Sequence, residues 1–434
     1  MHALGVWRGA ALYIGALIGP GVLLVPALAL SAAGPASIVA WGALLVFSAP
    51  LALSFAALGV RHPVAGGVSA YVREGFGAGA AAVTGGWFLA AVVLGAPAVS
   101  LIGGYYVADL TGSGSALAAC VGLAMFALVL VANSQGLRVS SRLQLGLSSV
   151  LVAAIVVAVA VALPSRAGEN WTPFAPRGWW AVGTAASILV WLFIGWEAVA
   201  QLAGEFRNPS SDLPRAIALA FGVVSVVYIG LAATTIAVTT KTGSRVPLAD
   251  LLAVGFGRAG RDATAVLAVA LTMGTMNVYL GGAAKLTAAL AEEGAVPSWL
   301  GGGAARTVPR RPLVLIGALG VALLAGLVAG LVGTDTLVRA TAACFVAVYV
   351  LALASAIRIL DGASRTLATI AFVLVLVLTV FSSVFLVVPA VIALAALALR
   401  RASQRPADGP APRGETGLES AAAAPSISGT GGGN

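Results

Sequence analysis

Charge is what this chain has least of: 9% of its 434 residues are Asp, Glu, Lys or Arg, against 60% hydrophobic. Its mean hydropathy is +1.03. A soluble fold has no interior large enough for that much apolar side chain, so a soluble enzyme or binding module is excluded. Cysteine is nearly absent. Cys120 and Cys344 both fall in apolar segments and read as small core residues, which excludes a disulfide framework. The two histidines, His2 and His62, have no metal-ligand company, so no metal site is expected. The formal charge of +9 does not indicate a nucleic-acid partner, because the basic residues sit in short loops between apolar runs, where they act as topology signals. The first apolar run is too long for a cleavable signal peptide and another membrane segment follows it, so none is expected.

What the chain has in plenty is apolar runs of roughly 20 residues or more, separated by short polar or Gly/Pro-rich joints. They predict an all-α polytopic membrane protein with twelve transmembrane helices, at about 7–30, 35–60, 78–109, 115–134, 141–163, 178–203, 214–240, 262–290, 312–332, 335–358, 364–380 and 382–400. Ser382 and Ser383 mark the joint between the last two. An even number of crossings puts both termini on one side. With the termini inside, the outer loops hold only Arg166, Arg177, Lys241, Arg245, Arg258, Arg261 and Arg339. All other basic residues are inner, which favours cytoplasmic termini. The Ala, Gly, Val and Arg bias points to a GC-rich bacterial genome, hence to a bacterial cytoplasmic membrane. The predicted transmembrane domain covers 1–400, and 401–434, rich in Ala, Gly, Pro, Ser and Thr, reads as a disordered cytoplasmic tail.

Two of the runs are interrupted. The first, from about Trp7 to Leu30, holds Gly19-Pro20-Gly21 in its middle, the residues least able to continue a helix. Freed backbone groups at membrane depth are tolerated only where protein or a water-filled cavity satisfies them. A proline kink would account for this break alone. The sixth run carries Ile194-Gly195-Trp196-Glu197 deep in an apolar stretch. A carboxylate there costs about 2.5–3.5 kcal/mol on insertion scales, so it faces the bundle interior and needs a partner. Glu197 is either a neutral carboxyl bonded to a neighbouring helix or a working group. Breaks in segments 1 and 6 are what five helices repeated in inverted orientation predict, about 7–163 and 178–358, with 364–400 as two extra helices. Such paired breaks mark a midplane binding site. Half-helix N-termini suit an anion, and freed carbonyls an ammonium. An α-amino acid is both.

The broken segments and their neighbours resemble the amino acid–polyamine–organocation (APC) superfamily of transporters. The resemblance rests on Gly19-Pro20-Gly21-Val22, on Phe193-Ile194-Gly195-Trp196-Glu197, and on the loop from Glu205 through Asn208-Pro209, Asp212 and Pro214-Arg215-Ala216-Ile217. Ala284-Lys285 and Glu293-Gly294-Ala295-Val296-Pro297 fit the family's helix 8 exit, and His62 to Tyr71 its first inner loop. The match covers about residues 5–400 and is closest to the branch exporting methionine and branched-chain amino acids. It implies a five-plus-five inverted-repeat (LeuT-like) fold and a site formed by Leu17, Ile18, Gly19, Gly21, Val22, Trp191, Ile194, Gly195, Met276 and Asn277. Gly21 and Val22 would offer N–H groups to the substrate carboxylate. Leu17, Trp191 and Ile194 would offer carbonyls to its ammonium, with Trp191 also capping the site from outside. Met276 and Asn277 would face the substrate side chain. Pro20 departs from the small hydroxyl residue usual there, which removes a carboxylate contact. Glu205 and Arg207 are expected to pair across the inner gate when it shuts.

Some relatives place a lysine in helix 5; segment 141–163 has none. Glu197 is then the expected proton carrier of a proton-driven antiport, with no other cofactor. The sparse charge near the breaks argues against cationic or polyamine substrates. The leading reading is a secondary transporter of neutral, hydrophobic L-amino acids, partnered by the lipid bilayer, with export or uptake left open. An intramembrane transferase would need clustered acids for a metal-diphosphate, which the chain lacks. A transporter-like sensor without flux is the remaining class, and no soluble signalling domain is attached.

Overall fold

The computed structural model describes residues 4–62, 67–137, 139–197, 203–238, 244–301 and 308–403. The predicted tail from 404 onward, part of the 62–71 loop and residues 198–202 of the sixth segment lie outside the described residues. All named elements are helical. The chain runs α1 (Val6–Leu17), α2 (Val25–Ala33), α3 (Ser37–Arg61), α4 (Val68–Leu110), α5 (Ser115–Ser134), α6 (Ser141–Ala162) and α7 (Trp180–Leu189). It continues with α8 (Pro209–Val238), α9 (Pro247–Glu292), α10 (Arg310–Val328), α11 (Thr334–Ile359), α12 (Gly362–Ser382) and α13 (Val387–Ser403). Among the described residues, nine helices are long and apolar enough to cross a membrane. This is a multi-pass membrane protein.

Two helices are longer than the sequence predicted. α4 has 43 residues and α9 has 46. At 1.5 Å per residue each would span about twice a bilayer's hydrocarbon core if straight. Each is broken instead at a glycine with positive φ, Gly77 (φ 83) in α4 and Gly257 (φ 54) in α9. The short segments before these breaks, 68–76 and 247–256, were expected as loop because Arg73, Glu74 and Asp250 dilute their hydropathy. They are helical because one face is apolar and packed: Val68, Tyr71 and Val72 in one, Leu248, Leu251 and Leu252 in the other, all buried. The joint predicted at Ser382-Ser383 is present as a turn at Ser383–Leu386, with Ser383 at φ 44.

α4 is the spine. It packs against α5, α9 and α11. Ion pairs tie it near both ends to the α9 region, Arg73 with Glu293 at one end and Asp109 with Arg261 at the other, the latter at 2.6 Å. Against this frame lie α1 with α8, and α2 with α7. α12 and α13 lie outermost and leave Val373, Val377, Val380, Val384, Val387 and Val391 more than half exposed. An apolar stripe of that length is a lipid-facing surface.

Candidate functional site

Both interruptions lie inside the core, and they meet. α1 stops at Leu17 because Pro20 has no N–H and its ring excludes a helical carbonyl four residues back. The residue before it, Gly19, is extended (φ −108, ψ −171). A single turn, Pro20–Leu23, follows, and helix resumes at Val25. On the other side α7 tightens into the turn Val190–Phe193, Ile194 is extended, and Gly195 takes φ 133. The two turns are in contact. A Cβ placed on Gly21 would meet Leu192 Cδ2 at 3.0 Å and Trp191 Cδ1 at 3.6 Å. One placed on Gly195 would meet the Ala16 carbonyl oxygen at 3.0 Å. Space beside Gly19 is open.

A helix end in the core leaves carbonyls that need donors. Three of the last four in α1 have donors among the described residues. Ile14 O accepts from Ile18 N–H at 2.8 Å, and Gly15 O from Ser148 Oγ at 3.4 Å. Leu17 O takes Gly19 N–H at 3.2 Å and the Tyr228 hydroxyl at 2.8 Å. The same hydroxyl lies 2.9 Å from Leu192 O, at the end of the other half-helix. Tyr228, on α8, is fully buried and wedged edge-on between Trp41 and Phe193. Tyr106, on α4, donates to Leu23 O at 2.9 Å and holds the first turn from its far side. Tyr349, on α11, donates to Glu197 Oε2 at 2.6 Å, and that oxygen also accepts from Gly195 N–H at 2.9 Å. Three tyrosines from three helices therefore pin the two breaks. Sequence reading did not single them out. The signal was available, since a tyrosine deep in an apolar span must find a partner for its hydroxyl and the breaks supply bare carbonyls.

The expected site residues divide. Leu17, Ile18, Gly19, Gly21, Val22, Trp191, Ile194 and Gly195 all lie at the junction of the two turns. Gly21 N–H, in the first turn of its segment, has no partner within that turn. Val22 N–H is bonded to Gly19 O at 3.2 Å. Met276 is fully buried on α9, the helix that packs against the Pro20–Leu23 turn. Asn277 is committed elsewhere: its side chain accepts from Val139 N–H at 2.9 Å and donates to Leu137 O at 3.1 Å. It thus fastens the α5–α6 connection. Glu205 and Arg207 engage through their backbones. Leu4 N–H donates to Glu205 O at 2.7 Å and Arg207 N–H to Leu4 O at 3.0 Å. Tyr13 stacks on Phe206 beside this bridge, with ring centroids 6.2 Å apart.

Two helix breaks meet inside the bundle, and the Tyr228 hydroxyl lies within hydrogen-bond distance of a carbonyl of each. The profile of the amino acid permease family matches residues 4–403. The chain belongs to that family. The permease is 32% identical over 393 residues to an uncharacterized amino acid permease of Bacillus subtilis, YecA, covering 89% of this chain and 93% of the relative. It is 30% identical over 374 residues to the L-methionine/branched-chain amino acid exporter YjeH of Escherichia coli, covering 85% and 88%. A branched-chain amino acid permease of B. subtilis, BcaP, is 28% identical over 248 residues, 53% of each chain. The permease is a membrane transporter of amino acids and not an enzyme.

Proposed function

We propose that this permease exports neutral, hydrophobic L-amino acids, such as methionine, leucine, isoleucine and valine, by proton-coupled alternating access. The observation that carries the reading is the meeting of the two turns, with Gly21 packed closely on Leu192 and Trp191 and open space beside Gly19. The substrate carboxylate binds at the Gly21 end and its ammonium at the carbonyls of the half-helix ends. The sequence likeness to the E. coli exporter supports substrate class and direction. Uptake or exchange is the second reading, favoured by the likeness to the branched-chain permease.

The architecture proposed is twelve spans in two inverted repeats, 7–163 and 178–358, with 364–400 as two extra helices and 401–434 as a cytoplasmic tail. Two of the nine apolar helices, Val25–Arg61 and Gly362–Ala402, have 37 and 41 residues. About 20 suffice to cross, and each divides at a turn; the interrupted sixth segment completes the set. The repeats are supported by two matched irregularities. The turns at Pro20–Leu23 and Val190–Phe193 are one pair, and the kinks at Gly77 and Gly257 are the other. Both termini are placed in the cytoplasm, and the Leu4 bridge to Phe206 then closes the inner side.

Glu197 is proposed as the proton carrier, because its carboxylate joins the backbone of one break to Tyr349 on α11. Counterflow in proteoliposomes tests the whole. Vesicles loaded with unlabelled leucine or methionine accumulate the labelled amino acid, Gly21→Leu abolishes it, and Glu197→Gln removes its dependence on an imposed pH gradient. Gradient dependence unchanged in Glu197→Gln refutes the carrier role. No counterflow of any neutral amino acid refutes the substrate.

A further inference from the structure

Helices α6 and α8 pack side by side, and between them runs a groove of about 440 Å³. Val152 and Val156 form one wall, Leu219 and Val226 the other, with Ala218 and Gly222 as the low points of the second; no polar side chain lines it. It opens outward, since Val156 and Val226 are more than half exposed. A Cβ placed on Gly222 meets nothing within 4 Å, so the notch left by the two small residues does not seat a neighbouring helix of this chain. From Ala218 to Val227 the groove rises about 13 Å at 1.5 Å per residue, close to half of a ~30 Å hydrocarbon core. Its volume divided by that length is a mean cross-section of about 33 Å². A helix, ~10–12 Å across, needs more than twice that area. A single hydrocarbon chain fits.

One end of this groove is basic. Arg215 shares a face of α8 with Leu219, Gly222 and Val226, which follow it by four, seven and eleven residues. Arg142 precedes Val156 by two full heptads and so shares its face of α6. Further along, Gly230 meets Val159, so the two helices run in the same direction and begin together. Counted back from that contact, Arg142 and Arg215 lie at nearly the same depth, about 25 and 23 Å away along their helices. Both are exposed, and neither has an ion pair or a hydrogen bond among the described residues. Arg142 also sits in the first turn of α6, at the positive end of the helix dipole, where an anion is favoured and a lone cation is not. Arg215 belongs to the Pro214-Arg215-Ala216-Ile217 sequence, to which the paired breaks assign no task. Two guanidiniums at one depth, each a flat fork of donors, match a phosphate.

We propose that the groove between α6 and α8 binds an anionic phospholipid, with one acyl chain lying along Gly222 and the phosphate held between Arg142 and Arg215. The arginines mark the headgroup end whichever face of the membrane is cytoplasmic, so the site stands apart from the transport reading. Native mass spectrometry of the purified full-length permease in detergent, titrated with dioleoyl phosphatidylglycerol or dioleoyl phosphatidylcholine, tests it. One phosphatidylglycerol is expected to bind more tightly than any that follow, and at least fivefold more tightly than the zwitterionic lipid. Arg142→Gln and Arg215→Gln each weaken that first binding about fivefold, the worth of one basic residue beside an anionic lipid, and Arg215→Lys retains most of it. Gly222→Phe, which fills the notch without meeting a neighbour, weakens both lipids alike. Glycerol phosphate, a headgroup without chains, displaces neither. Equal binding of the two lipids by the wild type overturns the proposal, as does phosphatidylglycerol binding indifferent to both arginine substitutions. Displacement by glycerol phosphate overturns it too, leaving a phosphate site without a chain groove. A dimer that Gly222→Phe splits while lipid binding is unchanged overturns it by making the groove a contact between two copies of the chain.

Discussion

Tyr228→Phe removes one oxygen atom from the centre of the molecule and leaves everything else in place. The ring keeps its edge contacts to Trp41 at 5.3 Å and Phe193 at 5.6 Å, so packing is conserved. What is lost is a hydroxyl within 2.9 Å of two carbonyls that belong to different half-helices. A hydroxyl has one hydrogen, so the two carbonyls share it. Leu17 O keeps a second donor in Gly19 N–H. Leu192 O loses its side-chain donor. Leaving one buried acceptor unsatisfied costs about 1–3 kcal/mol, while hydrogen bonds between membrane helices average about 0.6 kcal/mol. Tyr228→Phe should therefore destabilise the fold by about 1–2 kcal/mol. If the bond also sets the spacing of the two turns, counterflow should slow by about 5–30-fold, the factor that this free energy represents. The assay pairs thermal unfolding in detergent with initial counterflow rates, using Tyr228→Leu as the comparison that loses the ring as well. A Tyr228→Phe protein with wild-type melting and wild-type rate would refute the idea that this hydroxyl pins the two breaks together.

Other substitutions probe the same junction and its supports. Gly195→Ala forces a side chain onto φ 133 and 3.0 Å from Ala16 O; a loss of about 1–3 kcal/mol in stability is expected, read from the melting temperature of the purified protein. Asn277→Ala frees Val139 N–H and Leu137 O and should raise amide exchange at the α5–α6 connection, with little change in substrate affinity. A large affinity loss would instead put Asn277 in the substrate site.

The breaks were legible in the sequence because backbone chemistry declares itself locally. Gly19-Pro20-Gly21 cannot continue a helix, whatever surrounds it, and Gly195 beside Glu197 in an apolar run is nearly as plain. Which oxygen each buried tyrosine would meet was not legible. Tyr106 and Tyr228 are 83 and 211 residues from the Leu23 and Leu17 carbonyls, and Tyr349 is 152 residues from the Glu197 carboxylate; nothing in the intervening sequence records the contact. Segments 68–76 and 247–256 were missed for a different reason. A hydropathy run finds helices that are apolar all round, and these are apolar on one side only. Asn277 shows the converse case, a polar group in an apolar span whose side chain bonds the backbone of the α5–α6 connection, a partner the sequence did not indicate.

The bridge at Leu4 sets an energy scale for motion. Two backbone hydrogen bonds, Leu4 to Glu205 and Arg207 to Leu4, and one ring stack fasten the start of α1. At about 0.5–1.5 kcal/mol net per hydrogen bond, undoing the fastening costs a few kcal/mol at most. The rest of α1 packs along α8 with Ala10, Tyr13 and Leu17 buried, so the bridge sets only the cost of parting the first residues from Phe206, a small fraction of what lifting the whole helix would take.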